Sequence, residues 1–163
     1  MESVIKTATV SELKDELQSV PPAQVLALCL RLAKFKKENK ELLTYLLFEA
    51  HDLPGYMEAV KREIDRLFSE INSSNIYFAK KTIQKILSIT NKHIRYTGSK
   101  HAETELLLYF CISLKASGIP IKKSTALINL LANQIKKIEK SLAFLHEDLQ
   151  YDYIKAFEQL KAN

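Results

Sequence analysis

Turn-forming residues are scarce in this chain: three glycines and four prolines are spread over 163 positions. All-β folds need a turn about every 8–12 residues, and this chain cannot supply them. Cysteine is nearly absent. Cys29 and Cys111 each lie inside an apolar run. They read as small buried hydrophobes in a reducing compartment rather than as a disulfide pair. Long hydrophobic runs are missing too: the longest, near residues 106–111, falls well short of the ~18 that span a bilayer. Residues 1–10 hold an acid, a lysine and threonines but no apolar signal core, so no leader is expected and the cytoplasm is the expected compartment.

Acids are the last shortage, and it is local. Residues 71–138 carry eleven Lys/Arg against only Glu103 and Glu105, a local charge of +9 inside a chain of net +5. Such an excess points outward, toward an acidic protein, a nucleic acid or another anionic surface. The bases are twenty Lys and four Arg. Lysine is a hydrated point charge without arginine's bidentate fork, which argues against sequence-specific nucleic-acid reading.

What remains is ordinary globular material. The hydrophobic fraction is 47%. A chain of this length buries roughly 70% of its unfolded surface, enough for one domain. Periodicity predicts helices at about 10–18, 22–36, 40–51, 56–71, 76–96, 100–116, 121–144 and 147–161. The start signals are Thr9 with Glu12 as a capping box, Pro21-Pro22, Asn39, Asn75 and Ser99. Leu53-Pro54-Gly55 reads as a break, Gly98 as a helix-ending residue, and Gly118 as a stop. The run 106–112 is apolar on every side and predicts a central, fully buried helix. Leu127, Leu131, Ile135, Ile138, Leu142 and Leu145 recur near a 3.5 spacing, which favours a long antiparallel neighbour. The expected fold is all-α: one domain over 1–163 of seven to eight antiparallel helices, as stacked hairpins or a compact bundle.

An offset of 64 aligns Glu41-Leu42-Leu43-Thr44-Tyr45 with Glu105-Leu106-Leu107-Leu108-Tyr109, and Arg31 with Arg95. Chance likeness between amphipathic helices is the competing explanation, but periodicity alone does not require the matched Glu, Tyr and Arg. A duplication of 22–71 in 86–135 would make two stacked three-helix units, similar to a HEAT-like or armadillo-like solenoid in architecture only, with no residue motif of those families.

Enzyme motifs fail in turn. The chain has no G-x-x-x-x-G-K-[ST], G-x-G-x-x-G, G-x-S-x-G, H-E-x-x-H or C-x-x-C, and no Glu three residues before a His. His51 reads as a local helix-end residue, and His146-Glu147-Asp148 as the start of the last helix. His93, His101, Glu103 and Glu105 would meet at a metal only if the two helices flanking Gly98 bring them together, and their spacing is not diagnostic. No cofactor is expected.

The ordered feature is the helix at about 76–96. Tyr77, Lys80, Lys81, Lys85, Lys92 and Arg95 share one side with Gln84, Ser88 and Asn91. Ile76, Ala79, Ile83, Ile86, Leu87, Thr90 and Ile94 occupy the other. A solvated helix must show a polar face in any case, so the competing explanation is plain solvation. The functional readings are a non-enzymatic scaffold binding a protein partner, a nonspecific nucleic-acid accessory protein with Tyr77 as a stacking residue, and an enzyme with a dispersed active site. The first is the expectation. Membrane binding is not expected, because the apolar side of the basic helix is committed to the core. Oligomeric state is open.

Overall fold

The computed structural model describes residues 4–162. The first three positions of the segment read for a leader therefore lie outside it. The described residues form eight α-helices and no strand: α1 (Val10–Ser19), α2 (Pro22–Phe35), α3 (Lys37–Thr44), α4 (Leu53–Ser69), α5 (Ile76–Thr97), α6 (Lys100–Ala116), α7 (Thr125–Ala143) and α8 (Glu147–Ala162). A π-helical turn spans Tyr45–Glu49 and a 3₁₀ turn Ile121–Lys123. None of the helices is long and apolar enough to cross a membrane. Internal packing divides the chain into two units, residues 1–44 and 45–163.

The first unit holds α1–α3. The Thr9 capping box forms as read: Thr9 Oγ1 accepts from Glu12 N–H, and Glu12 Oε2 accepts from Thr9 N–H at 2.7 Å. The Thr9 N–H first, and then the Thr9 hydroxyl that donates to the same Oε2 at 2.9 Å, hold the Glu12 carboxyl below its usual range. α2 starts on Pro22, where the missing N–H costs nothing. It ends at Lys36, which turns extended (φ −139°, ψ 144°) without help from glycine or proline. α3 therefore begins three residues before the expected 40. Asn39 lies inside it rather than capping it, and its Nδ2 donates to Leu32 O in the last turn of α2. No residue of α1–α3 is buried, and Leu26, Leu32 and Phe35 stay 61%, 61% and 79% exposed.

The second unit is a five-helix bundle around α6, on which α4, α5, α7 and α8 all pack. Leu106, Leu107, Phe110, Cys111 and Leu114 of α6 are buried to within 1%. The expectation of burial on every side needs one correction: Ile112 is 42% exposed and Tyr109 half-buried, because four neighbours leave one strip of α6 uncovered. Leu53-Pro54-Gly55 does not break the chain either. It is the first turn of α4, capped by Asp52, whose Oδ1 accepts from Gly55 N–H at 3.0 Å. A Cβ at Gly55 would collide with that carboxylate, so glycine lets the cap close.

The α5–α6 hairpin is built from three signals in a row. Asn75 Oδ1 accepts from Tyr77 and Phe78 N–H to start α5. Gly98 ends it in the left-handed region at φ 58°, which side chains with a Cβ avoid. Ser99 Oγ then accepts from Ala102 N–H to start α6. After α6 the chain passes the 3₁₀ turn and Ser124 caps α7, so α7 starts at 125 rather than 121. Antiparallel hairpins on both sides of α6 leave α5 and α7 parallel to each other. The 64-residue offset pairs exposed Leu42 with fully buried Leu106, and Leu53 at the start of α4 with Ser117 after α6.

Candidate binding groove between α5 and α7

The apolar side of α5 is buried as its periodicity requires: Ala79, Ile83, Ile86, Thr90 and Ile94 are at most 9% exposed. Thr90 is accommodated there because its Oγ1 donates to Ile86 O at 2.8 Å. The opposite side carries the expected basic residues. Tyr77, Lys81, Lys85 and Arg95 are exposed, and Lys80 and Lys92 half-buried. The ring of Tyr77 is not open for stacking on both faces: Lys81 Nζ lies 4.7 Å and Lys80 Nζ 5.8 Å from its centroid.

The far end of that face borders a cleft. A recess of about 590 Å³ is lined by Asn91, Ile94 and Arg95 of α5, Gly98, Ser99, Lys100 and Glu103 at the start of α6, and Lys137 of α7. A second of about 380 Å³ continues it along Gln84, Leu87, Ser88, Asn91 and Arg95, with Leu130 of α7 opposite. The two share Asn91 and Arg95, so they read as one groove over α6 between two parallel helices. Lys100 is committed to Glu103 at 2.9 Å. Among the described residues neither Arg95 nor Lys137 has an ion pair, and the two line the same recess from different helices. The amino end of α6, with its positive dipole, closes that end.

Gln134 of α7 stands about one turn from both Leu130 and Lys137 but lines neither recess. It is 5% exposed, and its Oε1 is buried without a donor. On the helical wheel it sits about 40–60° from Leu130 and Lys137, on the side toward the core. An unmatched buried carbonyl of this kind costs free energy in the unliganded fold.

The other basic positions do not join this face as one patch. Lys115 donates to Leu160 O at 2.5 Å, so it caps the end of α8. Lys122 and Lys123 are exposed on the 3₁₀ turn, and Lys136 on α7. Of the four residues weighed as metal ligands only His101 and Glu105 come together, Nε2 to Oε2 at 3.5 Å. His93 shares a hydrogen bond with Tyr56 at 2.7 Å and faces Glu63 at 3.3 Å, both on α4. His101 turns to Tyr153 of α8 at 2.7 Å, and Glu103 to Lys100. Among the described residues no group of three or more His, Cys, Asp or Glu is placed to hold a metal ion. His51 is exposed in the turn before α4, and His146 Nδ1 accepts from Asp148 N–H as α8 begins.

One polar constellation was not read from the sequence. Glu105 of α6 takes Lys61 Nζ of α4 at 2.6 Å on one oxygen and the Tyr153 hydroxyl of α8 at 3.0 Å on the other. Burial lowers the Lys61 pKa, but the bonds to Glu105 and Glu58 outweigh it and leave the ammonium raised. Burial first, then Glu105, pushes Tyr153 above the tyrosine range. Beside it the Tyr109 hydroxyl reaches both Asp65 oxygens at 2.6 and 2.7 Å, and burial with Asp65 pushes it up to about 12. These bonds strap α4 and α8 to α6. The i,i+4 pair His101–Glu105 was visible as one helical face. Its partners 44 and 48 positions away were not.

No protein-family model, no curated protein and no solved structure matches this chain.

Proposed function

We propose that this chain is a non-enzymatic helical interaction module that binds a protein partner through the basic side of its second unit. The observation that carries the reading is the groove lined by Arg95 and Lys137, two cations from different helices that have no ion pair among the described residues. The constellation richest in ionisable groups, around Glu105, is by contrast tied up in bonds between α4, α6 and α8. The basic side of α5 runs on from the groove through Lys85, Lys81 and Lys80 and extends the surface for long-range attraction of an acidic partner.

The test is affinity capture from native lysate with the parent chain and the Lys80→Glu/Lys81→Glu/Lys85→Glu variant side by side. A partner held by the parent and lost from the variant supports the reading. Capture of the same proteins by both would remove this face from it. Nonspecific nucleic-acid binding is the second reading, favoured by the lysines and Tyr77 on one helix side. It requires affinity for arbitrary oligonucleotides that falls steeply with salt, and no binding at low salt would end it.

A further inference from the structure

We propose that two copies of this chain pair through their first units, with the apolar seam of α1 in each copy seated on α2 of the other. The pairing is independent of the α5–α7 groove and of the basic side of α5.

The first unit needs a cover that it does not supply itself. The buried core begins at Tyr45, so α1–α3 contribute nothing to it. Among the described residues the one extended helix–helix contact inside this unit is α2 on α3. Helices of 10, 14 and 8 residues are marginal in water alone, and most helical stability comes from burying an apolar side. Such a side is present. Val10, Leu13 and Leu17 recur at coiled-coil spacing on α1, and Leu28, Leu32 and Phe35 on α2. They are 39–83% exposed. At about 150–200 Å² for a whole large apolar residue, the six present roughly 600 Å². An interface of standard size takes about 800 Å² from each partner, and a polar rim supplies the difference.

Charge selects the occupant. α1 carries Glu12, Asp15 and Glu16 against Lys14, whereas residues 31–41 carry five bases against Glu38 and Glu41. The unit therefore holds both halves of a complementary pair, and a second copy supplies each half with its opposite. The register of the charges agrees. Glu16 lies about 60° from Leu13 on α1, and Arg31 about 60° from Leu28 on α2, so each stands at the edge of its seam. Seating α1 on α2 of the other copy brings acid to base twice, once for each half of a two-fold pair. Seating α1 on α1, or α2 on α2, would bring like charges together. An acidic or a basic partner of one sign would satisfy only one of the two helices.

The experiment is sedimentation equilibrium of the full chain from micromolar to several hundred micromolar. The parent is expected to pass from the chain mass to twice that mass. Glu16→Arg and Arg31→Glu should each weaken the pair about tenfold or more, because two-fold symmetry makes each reversal act twice. An equimolar mixture of the two variants should pair again, since both contacts are then between opposite charges. That rescue works only between chains, and a variant that failed to fold would not give it. Lys85→Glu, exposed on α5, should leave the pairing unchanged. Hydrogen exchange should slow in α1–α3 as concentration rises and stay constant in α6. A parent that remains at the chain mass throughout would overturn the proposal, whether α1–α3 are then protected or not. A dimer that ignores both reversals, or that Lys85→Glu weakens equally, would move the contact to another face and overturn it. Variants that stay single when mixed would refute the seating of α1 on α2. Species that grow beyond two copies with concentration would show an open head-to-tail contact in place of a closed pair, and would overturn it too.

Discussion

Gln134 and Thr104 are both buried polar residues, at 5% and 0% exposure, yet replacing each by an apolar residue of similar size should shift stability in opposite directions. Gln134 Oε1 has no donor. A buried polar group left unmatched costs about 1–3 kcal/mol, and an apolar replacement of similar shape removes that cost. Gln134→Leu is therefore expected to stabilise the chain by about 1 kcal/mol or more, a rise of about 2–4 °C in Tm per kcal/mol at this size. Thr104 is the control. Its Oγ1 bonds Ser141 Oγ of α7 at 2.8 Å and Lys100 O at 2.9 Å. Thr104→Val removes both bonds while Ser141 keeps Ile138 O, so it should cost about 1 kcal/mol. The assay is urea unfolding followed by far-UV circular dichroism, with tyrosine fluorescence as a second probe because the chain has no tryptophan. An unchanged slope with a shifted midpoint reports stability alone. A clear loss of stability in Gln134→Leu would refute the reasoning, because it would mean that Oε1 has a donor in solution.

Three further outcomes are expected. Phe110, at 0% exposure in the centre of α6 and 5.8 Å from the Phe68 ring, should cost about 3–5 kcal/mol as Phe110→Ala, measured as the shift in urea midpoint. A thiol reagent should label Cys29, which is exposed, in the native chain and Cys111 only after unfolding, since burial pushes the Cys111 thiol up to about 12 and keeps it protonated and covered. Tyr109 is raised from the ordinary 10 to about 12 by burial and Asp65, so its folded pKa lies above its unfolded one. Its contribution to stability is then fully present below pH 10 and lost as pH rises from 10 to 12. Tyrosinate absorbance should show a late component to which Tyr109 and Tyr153 both contribute, and Tyr109→Phe should remove the part near pH 12.

The helices were legible because their signals are local. Capping pairs, the breaking residues and the 3.6-residue period each act within a few positions, so Thr9–Glu12, Asn75, Gly98 and Ser99 could be placed from the chain alone. The α2–α3 boundary was not, because the break rests on one lysine turning extended rather than on a residue that disfavours helix. Proline and glycine at 54 and 55 misled for the opposite reason: both suit a helix's first turn when Asp52 precedes them as a cap.

By itself, then, the sequence determined an all-α chain, a central helix at 100–116, and a basic side on the helix that begins after Asn75, since each follows from spacing along one helix. Which charges remain available was decided by tertiary structure. Lys115 is spent on the end of α8, Glu105 on Lys61 and Tyr153, and His93 and His101 on different neighbours. Arg95 and Lys137, 42 positions apart in sequence, line one recess from α5 and α7. The reason is geometric. Periodicity says which way a side chain faces on its own helix, but only the packing of α5 and α7 on α6 decides what it faces, and whether that partner has already matched its charge.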